Sequence, residues 1–416
     1  MVFLFYTFEC YVIVHSWKRF RDYLNPIFSM SVIWTVFTGA YDLLSRMNSG
    51  YRVLSNNYYS YVLLFMFVFS TLSFFILRNV TAKDTLDKKY FNDNLNVPVD
   101  TVNTFLLLAI TANILYVIVL VIAAKTTNPI EIMYRIRQMT RVEDASYLAS
   151  LIKIPALLFN FTPLILCYIF MYDIKADKRK VIILMLEMFA ISFLLATKGR
   201  IIRFTLLLLM FLKQKLSKKA FFTSTIIILP TATYFLYVLV INRDQAFFEK
   251  NSIGDYCFLY FLSPIAGLDR LLCGELTYVT SGFGPRTLNY FYSLLSSLLG
   301  TSIPQYVEPG YVIINTSSGY VTGNVFTGMA PYYLDYGWVS SIVCGVLCSL
   351  VYTYIYKKMV KDRLTAYSIF YIINYPYLLF YVFADLILDA FSVSIQEFLA
   401  AVLITYFWRK RISIKD

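Results

Sequence analysis

Apolar runs separated by short polar breaks recur along the whole chain, near residues 3–16, 27–45, 58–77, 102–124, 149–172, 181–197, 200–212, 220–241, 335–356, 364–384 and 387–407. Crossing about 30 Å of hydrocarbon takes about 20 apolar residues per helix, and no run shows the two-residue alternation of a barrel strand. The pattern therefore predicts an all-α polytopic integral membrane protein with about eleven transmembrane helices.

The breaks alternate in charge. Basic clusters fall at Lys18/Arg19/Arg21, Arg78 to Lys89, Lys175 to Lys180, Lys213 to Lys219, Lys357 to Arg363 and Arg409 to Lys415, and hold well over half of the 37 Lys and Arg residues. The positive-inside rule puts every one of them in the cytoplasm, which predicts an N-terminus outside and a C-terminus inside. One break is far longer than the rest. Residues 242–334, rich in Tyr, Ser, Gly and Pro, lie on the outer face between the eighth and ninth helices. Amphipathic pieces at Tyr256 to Leu262 and Leu288 to Leu299 predict a segment partly folded against the membrane, and loops of this length are usually functional. The chain thus reads as N-terminal helices (1–241), an outer loop (242–334) and C-terminal helices with a basic tail (335–416). Lys125 to Tyr147 reads as an interfacial helix with a charged face.

Composition agrees. Of 416 residues 59% are apolar, with a mean hydropathy of +0.62. That excludes a soluble enzyme, a secreted disulfide scaffold and a free nucleic-acid binder, so the net charge of +12 is first a topology signal. The stretch Phe3 to Val14 lacks a basic region before it and a small-residue cleavage site, which suits a retained first helix. No P-loop or dinucleotide fingerprint is present, and no Cys or His spacing suits a metal, so no cofactor is expected. His15 lies near the cytoplasmic end of the first helix, leaving no histidine for catalysis outside. Cys257 and Cys273 share the outer, oxidising side, where they are either paired or free.

Basic residues that oppose the topology rule are the informative ones. Lys198, Arg200 and Arg203 occupy the tight outer turn Thr197-Lys-Gly-Arg-Ile-Ile-Arg, and Arg203 should point into the bilayer interior, where a guanidinium needs an anionic partner. Snorkelling to headgroups is the alternative, most of all for Lys198. The outer loop adds Arg243, Arg270 and Arg286. Arginine forks bind phosphate oxygens bidentately, so these residues predict an anionic, phosphate-bearing ligand approached from outside. Local pairs compete with that reading: Arg243 with Asp244, and Arg270 with Asp269 or Glu275. Among the outer acids Asp335, in Tyr-Tyr-Leu-Asp-Tyr-Gly-Trp, either caps the ninth helix or serves in proton transfer. The aromatic residues around it suit an interfacial belt or a sugar ring.

The turn Thr197-Lys-Gly-Arg-Ile-Ile-Arg, the long outer loop, and Gly323-Asn-Val-Phe-Thr-Gly-Met-Ala-Pro-Tyr-Tyr-Leu-Asp-Tyr-Gly-Trp together resemble the O-antigen polymerases over residues 181–356. Related sequences often carry a further Gly three residues after the Asp-Tyr-Gly glycine, where Ser340 stands here. The resemblance implies a Gram-negative inner-membrane glycosyltransferase that needs neither metal nor nucleotide. It would transfer a growing glycan from undecaprenyl pyrophosphate to a new lipid-linked repeat unit at the periplasmic face. Its partners would be membrane lipids, a chain-length regulator and other O-antigen assembly proteins, without nucleic acid. Arg200, Arg203, Arg270, Arg286, Arg243, Lys198 and Asn324 would then hold substrate and pyrophosphate, and Asp335 or Asp269 would activate the acceptor hydroxyl. Two alternatives stay open: an O-antigen ligase, differing in acceptor, and a lipid-linked oligosaccharide flippase, whose expected paired halves the long loop interrupts.

Overall fold

Uninterrupted apolar runs leave the backbone no partner in lipid except itself, and a helix falls on each of the eleven runs. The computed structural model describes residues 1–47, 52–86, 97–139, 158–172, 174–195, 198–243, 249, 252–276, 278–280, 282–304, 306–307, 312–316, 319–323, 326–362, 365–383 and 391–410. In chain order the helices are α1 (Val2–Phe20), α2 (Pro26–Met47), α3 (Asn56–Ile76), α4 (Ala82–Leu86), α5 (Val99–Ala124), α6 (Pro129–Met139), α7 (Thr162–Met171), α8 (Lys178–Leu194), α9 (Lys198–Lys215) and α10 (Lys218–Arg243). The stretch 242–334 contributes α11 (Ile253–Phe261), α12 (Ser263–Leu272) and α13 (Asn289–Leu299), and the chain continues with α14 (Ala330–Val360), α15 (Thr365–Leu379) and α16 (Phe391–Lys410). Among the described residues five helices, α2, α3, α5, α10 and α14, are long and apolar enough to cross a membrane. The protein is helical and membrane-embedded.

Local chemistry sets the boundaries. Ser55 caps α3 by accepting the Tyr58 amide at 3.3 Å, and Asp177 caps α8 by accepting the Arg179 amide at 2.9 Å. Within Lys125 to Tyr147 the described residues form the helix α6, and α11 and α13 fall on the two amphipathic pieces of the stretch 242–334. The loop also holds two short antiparallel pairings that hydropathy does not signal. Val279–Thr280 (β1) pairs with Tyr306–Val307 (β2), and Val312–Thr316 (β3) pairs with Gly319–Gly323 (β4) in the register Val312 to Gly323.

Two units form, each from separated stretches of chain. One comprises Met1–Tyr90, Lys250–Leu364 and Tyr377–Ser394, the other Phe91–Glu249, Thr365–Pro376 and Ile395–Asp416. In the first, α14 lies tightly along α3. A Cβ at Gly345 would come within 3.0 Å of the Phe65 carbonyl, so only glycine permits this approach. Polar links flank that contact: Ser340 Oγ to the Tyr61 hydroxyl at 2.5 Å, Ser73 Oγ to Thr353 Oγ1 at 2.7 Å, and Ser349 Oγ donating to the Phe69 carbonyl at 3.0 Å. Ser340 therefore keeps the packing close although it is not glycine.

The basic breaks of this unit meet at one end of the bundle. Arg19 donates to the Arg78 carbonyl at 2.9 Å, Lys361 pairs with Asp84 at 3.3 Å, and the Tyr356 hydroxyl donates to Asp22 at 2.6 Å. Helix α12 packs at the opposite end of α3, on its start.

In the second unit Met133, Ile201 and Leu239 form a buried cluster. Tyr168 donates to the Ala401 carbonyl at 2.7 Å, and Asn113 donates to Glu187 at 3.1 Å, so polar side chains as well as apolar ones tie these helices together.

Candidate functional site

Asp335 does not cap its own helix. Pro331 sits in the first turn of α14, where a missing N–H is harmless, so the helix starts five residues earlier than its hydropathy suggests. From inside that helix the Asp335 carboxylate reaches back to the segment around Arg286. Its Oδ2 accepts the Thr287 amide at 2.8 Å, the Thr287 hydroxyl at 2.8 Å and the Arg286 amide at 3.2 Å. Tyr336 adds a hydroxyl contact to Thr287 Oγ1 at 2.8 Å. Gly337 then turns the chain at φ 61° and ψ −144°, a conformation open to glycine almost alone. The Asp-Tyr-Gly triplet is thus a clasp, each residue with its own task. Its counterpart is Gly-Phe-Gly-Pro-Arg: Gly284 has φ +61°, and a Cβ there would collide with the Tyr336 hydroxyl. Arg286 is half-buried, its guanidinium stacked 4.7 Å from the centre of the Tyr306 ring.

Asp269, on α12, is buried against the N-terminus of α3. Its Oδ1 accepts the Ser55 amide at 3.0 Å and the Ser55 hydroxyl at 2.5 Å. Burial raises its carboxyl above its ordinary value, opposed by the Ser55 donors and by Arg52, whose Nε lies 3.9 Å from Oδ2. Arg52 also pairs with Glu275 and donates to Cys273 Sγ at 3.7 Å. The two acids considered as partners for Arg270 are therefore both taken by Arg52, which corrects the local pairing read from the sequence. Arg270 is half-buried and shares the surroundings of Tyr41 with Asp269 and Arg52.

Arg200 and Arg203 belong to the other unit. Arg203 is buried with its Nη2 on both oxygens of Glu397, at 2.9 and 3.1 Å, and its Nε donates to the Ile373 carbonyl at 3.2 Å. Asn374 completes the group by donating to Glu397 at 3.2 Å. The anionic partner required by a buried guanidinium is thus a residue of the chain. Arg200, half-buried, lies with its guanidinium 5.7 Å from the Phe159 ring centre and beside the Tyr116 phenol. Its Nη1 has no hydrogen-bond partner among the described residues. Asn324 and Asp244 lie outside the described residues, as do the side chains of Lys198 and Arg243.

Of the expected site residues, Asp335 and Arg286 come together in one clasp, and Asp269 and Arg270 follow one another on α12. Arg52, Ser55 and Glu397 carry no expectation in the sequence reading, whereas Glu275 was expected beside Arg270 and is found on Arg52. Glu397 had a signal, since an acid in an apolar run near a membrane arginine is a natural partner. Arg52 had none beyond lying in an outer break.

Cys273 is a free thiol, so the open alternative for this cysteine is decided against a disulfide; the side chain of Cys257 lies outside the described residues. Replacing both with serine should leave protein level and complementing activity at wild-type values in a deletion strain. Loss of activity at normal protein level would give a thiol a functional role. Comparison with protein-family models, curated proteins and solved structures finds no match.

Proposed function

We propose that the chain polymerises undecaprenyl-pyrophosphate-linked oligosaccharide repeat units at the periplasmic face of a Gram-negative inner membrane, through eleven spans with the N-terminus outside and the C-terminus inside. The observation that supports this reading is the clasp in which Asp335 accepts the backbone amides of Arg286 and Thr287, so that the segment carrying the Arg286 guanidinium is tied to a carboxylate at the start of α14. In the reaction an acceptor sugar hydroxyl attacks the anomeric carbon of the growing glycan, and the bond from that carbon to the pyrophosphate oxygen breaks. The hydroxyl proton passes to a carboxylate, with Asp335 the first choice and Asp269 the second. Lipid pyrophosphate leaves as an anion, and guanidinium groups held in advance at Arg286 and Arg270 stabilise it without a metal. Arg200, with an unbonded Nη1 among the described residues, is a further phosphate ligand on its own unit. Arg203 acts through Glu397 to fix the start of α9. Lys198, Arg243 and Asn324 stay candidates for substrate contact on the resemblance alone.

The test is deletion of the gene followed by electrophoresis of lipopolysaccharide. Loss of a polymerase leaves core bearing a single repeat unit, whereas loss of a ligase leaves bare core. Orientation has its own test. A reporter joined after Asp416 should behave as cytoplasmic and one inserted at Ser293 as periplasmic, and both on the same side would overturn the topology and the outer placement of the clasp.

A further inference from the structure

We infer that the groove between α1 and α2 binds a lipid phosphate bearing a hydrogen-bond donor on the chain side of its phosphate. This does not rest on the polymerase reading. The groove, of about 840 Å³, includes exposed Phe3, Cys10 and Leu43 in its wall and is open beside Gly39, while Tyr6, Asp42 and Arg46 supply its polar groups. α1 and α2 run antiparallel, with Tyr6 against Asp42 and Trp17 against Phe28. Arg46, in the last turn of α2, therefore lies at the membrane-surface end, and Asp42 lies one turn, about 5 Å, deeper.

Asp42 is a buried intramembrane carboxylate, a position that calls for a function. Its Oδ2 accepts the Tyr6 hydroxyl at 2.5 Å and the Tyr59 hydroxyl at 2.7 Å, while Oδ1 shares the same Tyr59 hydroxyl at 2.6 Å. One hydroxyl proton does not satisfy two oxygens, so Oδ1 retains capacity for another donor, and the two phenols fix its direction. Arg46 is exposed, lies within electrostatic reach of the Tyr6 hydroxyl, and has no ion-pair partner among the described residues. Phosphate at Arg46, a hydroxyl or amide N–H at Asp42 and an alkyl chain past Gly39 and Cys10 match the groove in order and depth. A diacyl phosphatidate presents only ester oxygens to Asp42, whereas a lysophosphatidate presents a free hydroxyl next to its phosphate.

The test uses the full chain in detergent, with Cys257 and Cys273 replaced by serine so that Cys10 is the exposed thiol of the described set. The rate of maleimide labelling at Cys10 is followed against oleoyl lysophosphatidate and dioleoyl phosphatidate. Lysophosphatidate should protect Cys10 at about ten-fold lower concentration, the worth of one hydrogen bond to a charged acceptor. Asp42→Asn, which still accepts from both phenols, should erase that difference. Arg46→Ala should remove protection by either lipid. Gly39→Leu should slow labelling without any lipid, since a Cβ there meets nothing closer than the Tyr6 hydroxyl at 3.8 Å and the added side chain fills the groove. Equal protection by both lipids in the wild type, or protection unchanged in Arg46→Ala, would mean ordinary annular lipid and overturn the proposal.

Discussion

Arg203→Ala should strip the protein from the membrane fraction rather than leave it folded and silent. Truncation strands Glu397, which is 1% exposed, in an interior where Asn374 is its other hydrogen-bond donor among the described residues. Breaking a buried pair from one side costs about 3–5 kcal/mol, because the remaining charge has lost both water and partner. Arg203→Lys should recover protein in part: an ammonium keeps the charge but not the planar reach to Glu397 and the Ile373 carbonyl together. Exchanging the pair for apolar groups, as Arg203→Met with Glu397→Leu, should bring protein level and polymer back together, since apolar replacement of a buried pair is often neutral. Immunoblots of membranes and glycan gels read both quantities. Arg200→Ala gives the contrast, with normal protein and collapsed chains. Protein restored by the double exchange without polymer would show that Arg203 touches substrate as well as Glu397.

Asp335→Asn should retain the clasp and lose the chemistry. The amide oxygen can take the place of Oδ2 in front of the Thr287 and Arg286 donors, so the loop stays anchored, while the charge and the proton acceptor are gone. A positioned base is worth about 10²- to 10⁴-fold, enough to reduce long polymers to single units. Asp335→Ala removes the anchor too, and the segment around Arg286 should become readily cut by protease added to the outer side. Full-length polymer from Asp335→Asn would leave Asp335 as an anchor alone and pass the proton to Asp269. In that case burial, which raises the Asp269 carboxyl, predicts that activity falls as pH drops through that raised value, because the protonated carboxyl cannot take the acceptor's proton.

The helices were legible because lipid imposes one rule on the backbone, and among the described residues a helix falls on each apolar run. Starts were less so: α14 begins at Ala330 because proline suits a first turn, which a hydropathy window does not register. The strands of the loop are two to five residues long, too short for any periodicity to show. At the site, residue type was readable but partnership was not. Asp335 stood out from its motif, yet its partners lie 48 and 49 positions away. Arg52, 223 positions from Glu275, sits in a break that carries no motif. The interleaving of three chain stretches within each unit likewise leaves no trace in a linear pattern.

The most direct measurement is reconstitution of the purified chain in liposomes with undecaprenyl-pyrophosphate-linked repeat units, in chelator and without nucleotide sugars. The account predicts a ladder of lipid-linked glycans rising by one repeat unit, with one undecaprenyl pyrophosphate released for each bond formed. Intact units moved to the opposite leaflet with no ladder, or a ladder that appears only when a nucleotide sugar is supplied, would contradict it.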